Sequence, residues 1–389
     1  MILVFFNNSL NHHQVNVADE FYRILGKEYA FVTTLPQSQV NKKGGYDYSN
    51  RPYCLCAGDS REDRLKAIEM LKSAEVCVFG ACSLEYAEIR AKSNPSGLSF
   101  ELSERWLKRG FVNVFSPRLL KWWWKYQTCF RKANFYKLCA SAFAANDHRK
   151  MLTYKNRCYK WGYFTKVNET IALEELISSK SETISMMWCS RFLTWKHPEL
   201  PVLLAARLKK DGYKFIIDMY GGEGNNDTKY EKIYTKKRLE SLIEECDVSD
   251  CVILHGQRPN KEIIEAMISH TIFLFTSDRR EGWGAVANES MTSGCILVAS
   301  DAIGSVPFLV KDEFNGLLFK NGNLDSLVDK VEWIFENQER ISQIQINARK
   351  TMVNDWSPKC AAQNFLLLID DLKNGHPCSI KDGPASLAK

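Results

Sequence analysis

Glu281 and Glu289 are two acids whose spacing could do chemistry: seven residues separate them, in the order Glu281-Gly-Trp-Gly-Ala-Val-Ala-Asn-Glu289. Gly282 and Gly284 permit a tight turn, and exposed amides near Gly284 and Ala285, at the start of a helix, would attract a phosphate. With about 1.5 Å of rise per residue, Glu289 then lies roughly 7 Å along the helix axis from that phosphate. A nucleotide-sugar fits such a frame: diphosphate at the amides, ribose hydroxyls on Glu289, hexose hydroxyls at Glu281. Taken alone, the same residues also read as a first-turn dipole partner and a solvated helix acid.

Such a frame needs a strand, a turn, a helix and a second strand in direct succession, and residues 272–300 supply them. The run 272–275 is apolar enough for a parallel strand covered on both faces, and Gly294 stops the helix before the apolar run 296–299. In an open α/β sheet the ligand sits at such strand-to-helix turns. Two further loops follow apolar strands in the same way. Asn11, His12 and His13 come after the first strand, where the paired histidines could bond an acceptor or pass a proton; two surface histidines is the plainer reading. Arg191 and Lys196 lie in the loop after a strand at 183–190.

The Glu281–Glu289 run, continued by Ser290-Met-Thr-Ser-Gly294-Cys295, resembles the Glu, seven residues, Glu signature of the retaining group-1 glycosyltransferases of GT-B fold. The resemblance covers residues 188–356 and extends more loosely over the N-terminal half. It implies an α/β protein of two Rossmann-like domains whose parallel sheets face across a cleft. Residues 1–170 would bind the acceptor and 171–356 the donor, with a helix at 357–373 crossing back and 374–389 a disordered tail. By the same resemblance Glu281 lies at the transferred sugar and Glu289 binds the ribose. Gly282, Trp283, Gly284 and Ala285 line the donor, Gln257 and Arg258 border the base, and His13 faces the cleft, with His12 and Asn11 beside it. Arg191 and Lys196 hold the diphosphate and stabilise the leaving group, a task for which two fixed cations can replace a metal.

The implied activity is retaining transfer of a hexose-type sugar from a nucleoside-diphosphate sugar, a UDP-sugar foremost. The acceptor would be a glycan or lipid-linked glycan, as in capsule or lipopolysaccharide synthesis, with neither cofactor nor metal. A binding protein of the same fold that has lost turnover is the alternative within the family.

Composition sets the wider bounds. The 389 residues, 45% apolar and 25% charged, suit a globular protein of two domains, and no apolar run reaches the ~18 residues that span a bilayer. The opening Met1-Ile-Leu-Val-Phe-Phe6 lacks a basic flank and reads as a first strand rather than a signal peptide, and the thirteen irregularly spaced cysteines read as reduced thiols. A cytoplasmic protein is expected. The net charge of +6 is uneven: residues 104–166 hold 15 Lys and Arg against two acids, or +13.

That basic segment contains Lys121-Trp122-Trp123-Trp124-Lys125, then Arg131 and Lys132. Three adjacent tryptophans cannot all face one core, because successive helix residues point about 100° apart. Cations interleaved with aromatic rings suit an anionic membrane surface, so these residues are expected to place the protein peripherally on the inner face of the cytoplasmic membrane. Nucleic acid is the rival ligand for the same chemistry but is not the expected partner.

Overall fold

The computed structural model describes residues 1–36, 48–81, 84–167, 183–224 and 232–389. The chain forms two compact units, Met1–Lys166 with Asp355–Lys389, and Val167–Asn354. Most of the loop expected at 36–51, the acidic crossover expected at 168–182 and the start of the helix expected at 229–245 lie outside the described residues.

The first unit alternates strands and helices: β1 (Leu3–Asn7), α1 (Val15–Leu25), β2 (Tyr29–Thr33), β3 (Cys54–Cys56), α2 (Arg61–Ser73), β4 (Val76–Phe79), α3 (Leu84–Ser93), β5 (Leu98–Ser103), α4 (Pro117–Thr128), β6 (Phe135–Cys139), α5 (Ala144–Lys150) and β7 (Cys158–Lys160). The strands pair in parallel in the order β3-β2-β1-β4-β5-β6-β7. β1, β2 and β4 are buried along their whole length, as unbroken apolar runs in a doubly covered parallel sheet must be. The chain leaves β1 towards one edge and resumes at β4 towards the other, so the switch point lies between them.

Residues 101–108, read from sequence as a helix, instead contain the end of β5. Its Glu101 is buried opposite its register partner Lys137 on β6, with Nζ and Oε2 2.7 Å apart. An acid in a central strand is misleading until the cation that neutralises it is known.

The second unit repeats the scheme: β8 (Ser185–Cys189), α6 (Glu199–Lys210), β9 (Ile216–Tyr220), α7 (Lys236–Glu245), β10 (Val252–Gly256), α8 (Asn260–Ser269), β11 (Ile272–Phe275), α9 (Val286–Thr292), β12 (Ile296–Ser300), α10 (Val306–Leu309), β13 (Leu317–Phe319), α11 (Leu324–Glu336) and α12 (Ile341–Lys350). Its parallel sheet runs β10-β9-β8-β11-β12-β13. Met186, Trp188, Ile217, Leu274 and Val298 of the strands pack with Val202, Leu208, Leu239, Leu327 and Val331 of the helices. Residues 312–316 form a tight turn in which the Glu313 amide donates to the Gly316 carbonyl at 2.8 Å, and β13 beyond it pairs parallel with β12.

A last helix, α13 (Pro358–Lys373), returns the chain to the first unit. Ser357 caps it by accepting from the Cys360 amide at 3.2 Å, with proline in the first turn. Its Phe365 meets Phe5, Phe21, Phe100 and Trp161 edge-on. The residues after it are not the disordered tail that their composition suggests. Ala385 and Ala388 donate to the carbonyls of Lys160 and Cys158, and the Lys160 amide donates to Ser386, so this segment covers the free edge at β7.

Candidate functional site

In the second unit the chain leaves β8 towards β9 and β10, then resumes at β11 towards β12 and β13. The switch point is therefore between β8 and β11, the place where open α/β sheets take their ligands. The loops that leave these two strands carry Arg191, Lys196 and Glu281.

Lys196 closes a short 3₁₀ turn, Thr194–Lys196, held by His197 in the left-handed conformation at φ 51°. Its ammonium contacts Oε2 of Glu281, and the two side chains are 12% and 11% exposed. The loops are tied behind this pair. Thr276 donates its hydroxyl to the Lys196 carbonyl at 2.7 Å and accepts from the Trp188 indole at 2.8 Å. The Asp278 amide donates to the Trp195 carbonyl at 2.9 Å. Ser277 donates to Glu281 Oε2 at 3.0 Å, and the Lys196 ammonium lies 4.4 Å from the centroid of the Trp195 ring. Arg191, at the head of the same loop, presents an exposed side chain.

The Gly-rich turn is built as the spacing requires at one position. Gly284 has φ +79°, and a β-carbon there would lie 2.3 Å from the Phe275 ring. Gly282 is buried, and Ala285 occupies the N-cap position of α9, a helix of about two turns. Trp283 departs from the expectation that it lines the donor. Its ring is fully buried and its indole donates to Asn288 Oδ1 at 2.8 Å, because Gly284 turns the chain only after the tryptophan has entered the core.

Glu289 stands on α9 with its carboxyl pushed up to about 7 by burial, against a single long bond from Asn260 at 3.4 Å. Burial, and after it the charge of Glu289, raises the half-buried Cys189 thiol at the end of β8 to about 12, which places the helix acid beside the switch point. On the β10 side, Tyr220 and His255 stack with centroids 4.6 Å apart, while Gln257 and Arg258 are exposed just beyond. Gly221, at φ +137°, lets that turn close on the Ser190 carbonyl, only 1.8 Å from where a β-carbon would be. Lys196, Glu281 and Glu289 thus gather at one end of the sheet. Ser277, Asn260 and Trp195 join them unforeseen. Ser277 lies four residues before Glu281 in the same loop.

The first unit has its own cavity at its switch point, about 470 Å³, lined by Asn7, Asn11 and His13 after β1, Gly80 after β4, and Ser103 and Arg105 after β5. His13 stacks on Tyr163 at 5.0 Å, and burial followed by the proximity of His12 lowers its ring to about 3. Burial lowers His12 as well. Burial thus favours the neutral ring, which can bond a hydroxyl.

The basic aromatic stretch forms α4, and only part of it faces solvent. Trp124 and Lys121 are exposed, as are Arg131 and Lys132 just after the helix. Trp122 packs on Phe130 and the core, Trp123 donates its indole to the Met151 carbonyl at 3.0 Å, and Lys125 pairs with Glu88 at 2.8 Å. These three do not present themselves to a membrane, since the 100° step turns them inward.

A family model described as Glycosyl transferases group 1 matches residues 173–351. No curated protein sequence matches the chain. Among solved structures, Anabaena HepE in complex with UDP is similar over 96% of this chain and 100% of its own, at 13% identity and a TM-score of 0.69. Sucrose-phosphate synthase from Thermosynechococcus elongatus is similar over 96% and 100%, at 14% and 0.67. The lipopolysaccharide outer core galactosyltransferase WaaB in its apo form is similar over 96% and 99%, at 14% and 0.67. These likenesses show the fold, two parallel-sheet α/β domains of GT-B type.

Proposed function

We propose that the protein is a retaining hexosyltransferase, on the premise that residues 173–351, which match the model of the group-1 glycosyltransferases, share that family's activity. It moves a sugar from a nucleoside-diphosphate sugar to a glycan or lipid-linked glycan. The observation that carries this reading is the Lys196–Glu281 contact: one cation and one carboxylate, nearly enclosed, at the switch point of the sheet. UDP in the HepE complex supports a uridine nucleotide, and the galactosyltransferase likeness supports a hexose and a surface-polysaccharide acceptor.

In this reading Glu281 accepts hydrogen bonds from the transferred sugar, and Glu289 accepts them from the ribose hydroxyls. The bond from the sugar C1 to the diphosphate oxygen breaks while the acceptor oxygen bonds C1 on the same face. The acceptor proton passes to an oxygen of the departing phosphate. Lys196 and Arg191 hold the negative charge that develops there, preorganised by the Thr276 and Trp195 contacts rather than recruited during the step. The acceptor occupies the cavity of the first unit, where neutral His13 and Asn11 bond its hydroxyls.

A panel of UDP-, GDP- and ADP-sugars screened by thermal shift, followed by release of nucleotide from the stabilising donor, tests this. A single nucleotide class should raise the melting temperature and be hydrolysed slowly without acceptor. Stabilisation without any nucleotide release would leave a binding protein; no stabilisation by any donor would defeat the assignment.

A further inference from the structure

We propose that one face of the first unit, formed by residues 110–128 and the turn at Leu152, docks on an anionic lipid bilayer. Phe111, Val112, Phe115, Leu120, Trp124 and Leu152 are 64%, 75%, 80%, 44%, 61% and 79% exposed. Among the described residues the exposed phenylalanines and tryptophans are Phe111, Phe115, Trp124 and Phe314, and three of the four are here.

The patch is continuous. The 3₁₀ segment Gly110–Phe115 runs directly into α4, and the Lys150 ammonium stands 5.7 Å from the centroid of the Phe111 ring. Trp123 and Gln127 donate to the carbonyls of Met151 and Leu152, which fixes the Leu152 turn against the helix. Leu152 sits at φ +54°, a conformation that L side chains resist, and it holds an aliphatic group in solvent. On α4 the exposed positions Pro117, Leu120, Lys121, Trp124 and Thr128 recur at helical spacing, opposite the inward Trp122, Trp123 and Tyr126.

Charge selects the partner. From Arg105 to Asn146, both included, the chain carries nine Lys and Arg and no acid. The nearest acids are already paired: Glu88 with Lys92 and Lys125, Glu104 with Lys108, Asp147 with Arg105. Arg118, Lys121, Arg131 and Lys132 remain exposed about the apolar tips. A second copy across a two-fold axis would set these cations against themselves. Val112, Leu120 and Leu152 offer a nucleic acid nothing to bond or stack on. Anionic headgroups with an acyl boundary beneath them satisfy both parts, and no described helix is long and apolar enough to cross the membrane instead.

The inward side of the same helix gives the docking a purpose, which rests on the transferase reading. Leu119 and Trp122 on that side, and Arg118 at the exposed rim, line the cavity assigned to the acceptor, so a lipid-linked glycan would reach it from the surface on which the helix lies.

Sedimentation with vesicles of phosphatidylcholine alone, or of phosphatidylcholine with phosphatidylglycerol, tests docking without using catalysis. The native protein should pellet with the anionic vesicles at low salt and be released at high salt. Lys121→Glu, a change of two charges, should weaken binding about 25-fold, from roughly fivefold per cation. Phe115→Ser with Trp124→Ser should weaken it at least tenfold while melting temperature and UDP binding stay unchanged. A native protein that remains in the supernatant with anionic vesicles at low salt overturns the proposal. So does a concentration-dependent dimer that the Phe115/Trp124 pair dissociates, or release from the vesicles by competing RNA at concentrations that leave Lys121→Glu equally bound. UDP binding that survives any of these results leaves the transferase reading standing.

Discussion

The Lys196 ammonium rests on Oε2 of Glu281, bridging the loops that leave the two strands at the switch point of the second sheet. In the absence of substrate each side chain satisfies the other, and Ser277 fixes the carboxylate from behind. A departing diphosphate would meet an ammonium already held in place by the Glu281 and Trp195 contacts. Lys196→Ala should therefore lower the single-turnover rate about 100-fold or more, the effect of removing one donor to a developing oxyanion. Chelation of divalent ions in the native enzyme should leave that rate unchanged. Loss of activity in EDTA, restored by Mg²⁺ or Mn²⁺, would show that the cations do not suffice.

Glu289 supplies a pH signature. Burial raises its carboxyl to about 7, so in the free protein it is largely neutral below that pH and largely ionised above it. Ribose hydroxyls donate best to the ionised form. UDP affinity should rise between pH 6 and pH 8, and binding at pH 7 should release protons, measurable by calorimetry in buffers of different ionisation enthalpy. Glu289→Gln should abolish the proton release and weaken binding, a charged hydrogen bond being worth about 1.5–3 kcal/mol. Proton uptake on binding would contradict the ribose role.

The same shift bears on stability. A carboxyl whose pKa is raised by folding favours the native state below its unfolded value near 4.5 and loses that contribution as pH rises through about 7. Without ligand, Glu289→Gln should melt at a higher temperature than the native protein at pH 8, with the gap closing by pH 5.

Gly284 should tolerate no side chain. The left-handed backbone alone costs about 1–2 kcal/mol for an L residue, and a β-carbon would meet the Phe275 ring at 2.3 Å. Gly284→Ala should lower the melting temperature and weaken UDP binding together. An alanine variant of native stability and affinity would mean that the turn is not held as described.

The buried pair Glu101–Lys137 permits a cleaner test of the first unit. Lys137→Met strands a carboxylate whose side chain is 5% exposed, at a cost of about 3–5 kcal/mol. Adding Glu101→Leu should recover most of that loss in urea denaturation. Equal destabilisation by the single and double variants would show that the loss comes from other partners of the Lys137 ammonium, such as the Ser103 hydroxyl, and not from the stranded carboxylate.

Glu281 and Lys196 were legible because each lies in a short loop after an apolar strand, where few other roles exist, and Glu289 because it follows Glu281 at a fixed spacing on the next helix. Trp283 was not, since an aromatic in a Gly-rich turn reads the same whether it faces ligand or core. Only the bond to Asn288, five residues on, decides it. β5 was hidden by Glu101, whose partner lies 36 residues away on β6. The C-terminal segment looked disordered because its order comes from backbone bonds to β7, which composition does not record. Of the three tryptophans, spacing said that one must be exposed, and the bond from Trp123 to Met151 helps to show which.

The return of α13 to the first sheet sets an order of events during synthesis. Residues 167–354 form a unit from one uninterrupted length of chain, whereas the unit begun by Met1 needs Asp355–Lys389. Phe5, Phe21 and Phe100 wait for Phe365, and the β7 edge stays open until Ser386 and Ala388 emerge. On the ribosome the part made second can be finished first. The earlier part is left for some time as an incomplete sheet with an uncovered aromatic face, the species that a chaperone would be expected to hold.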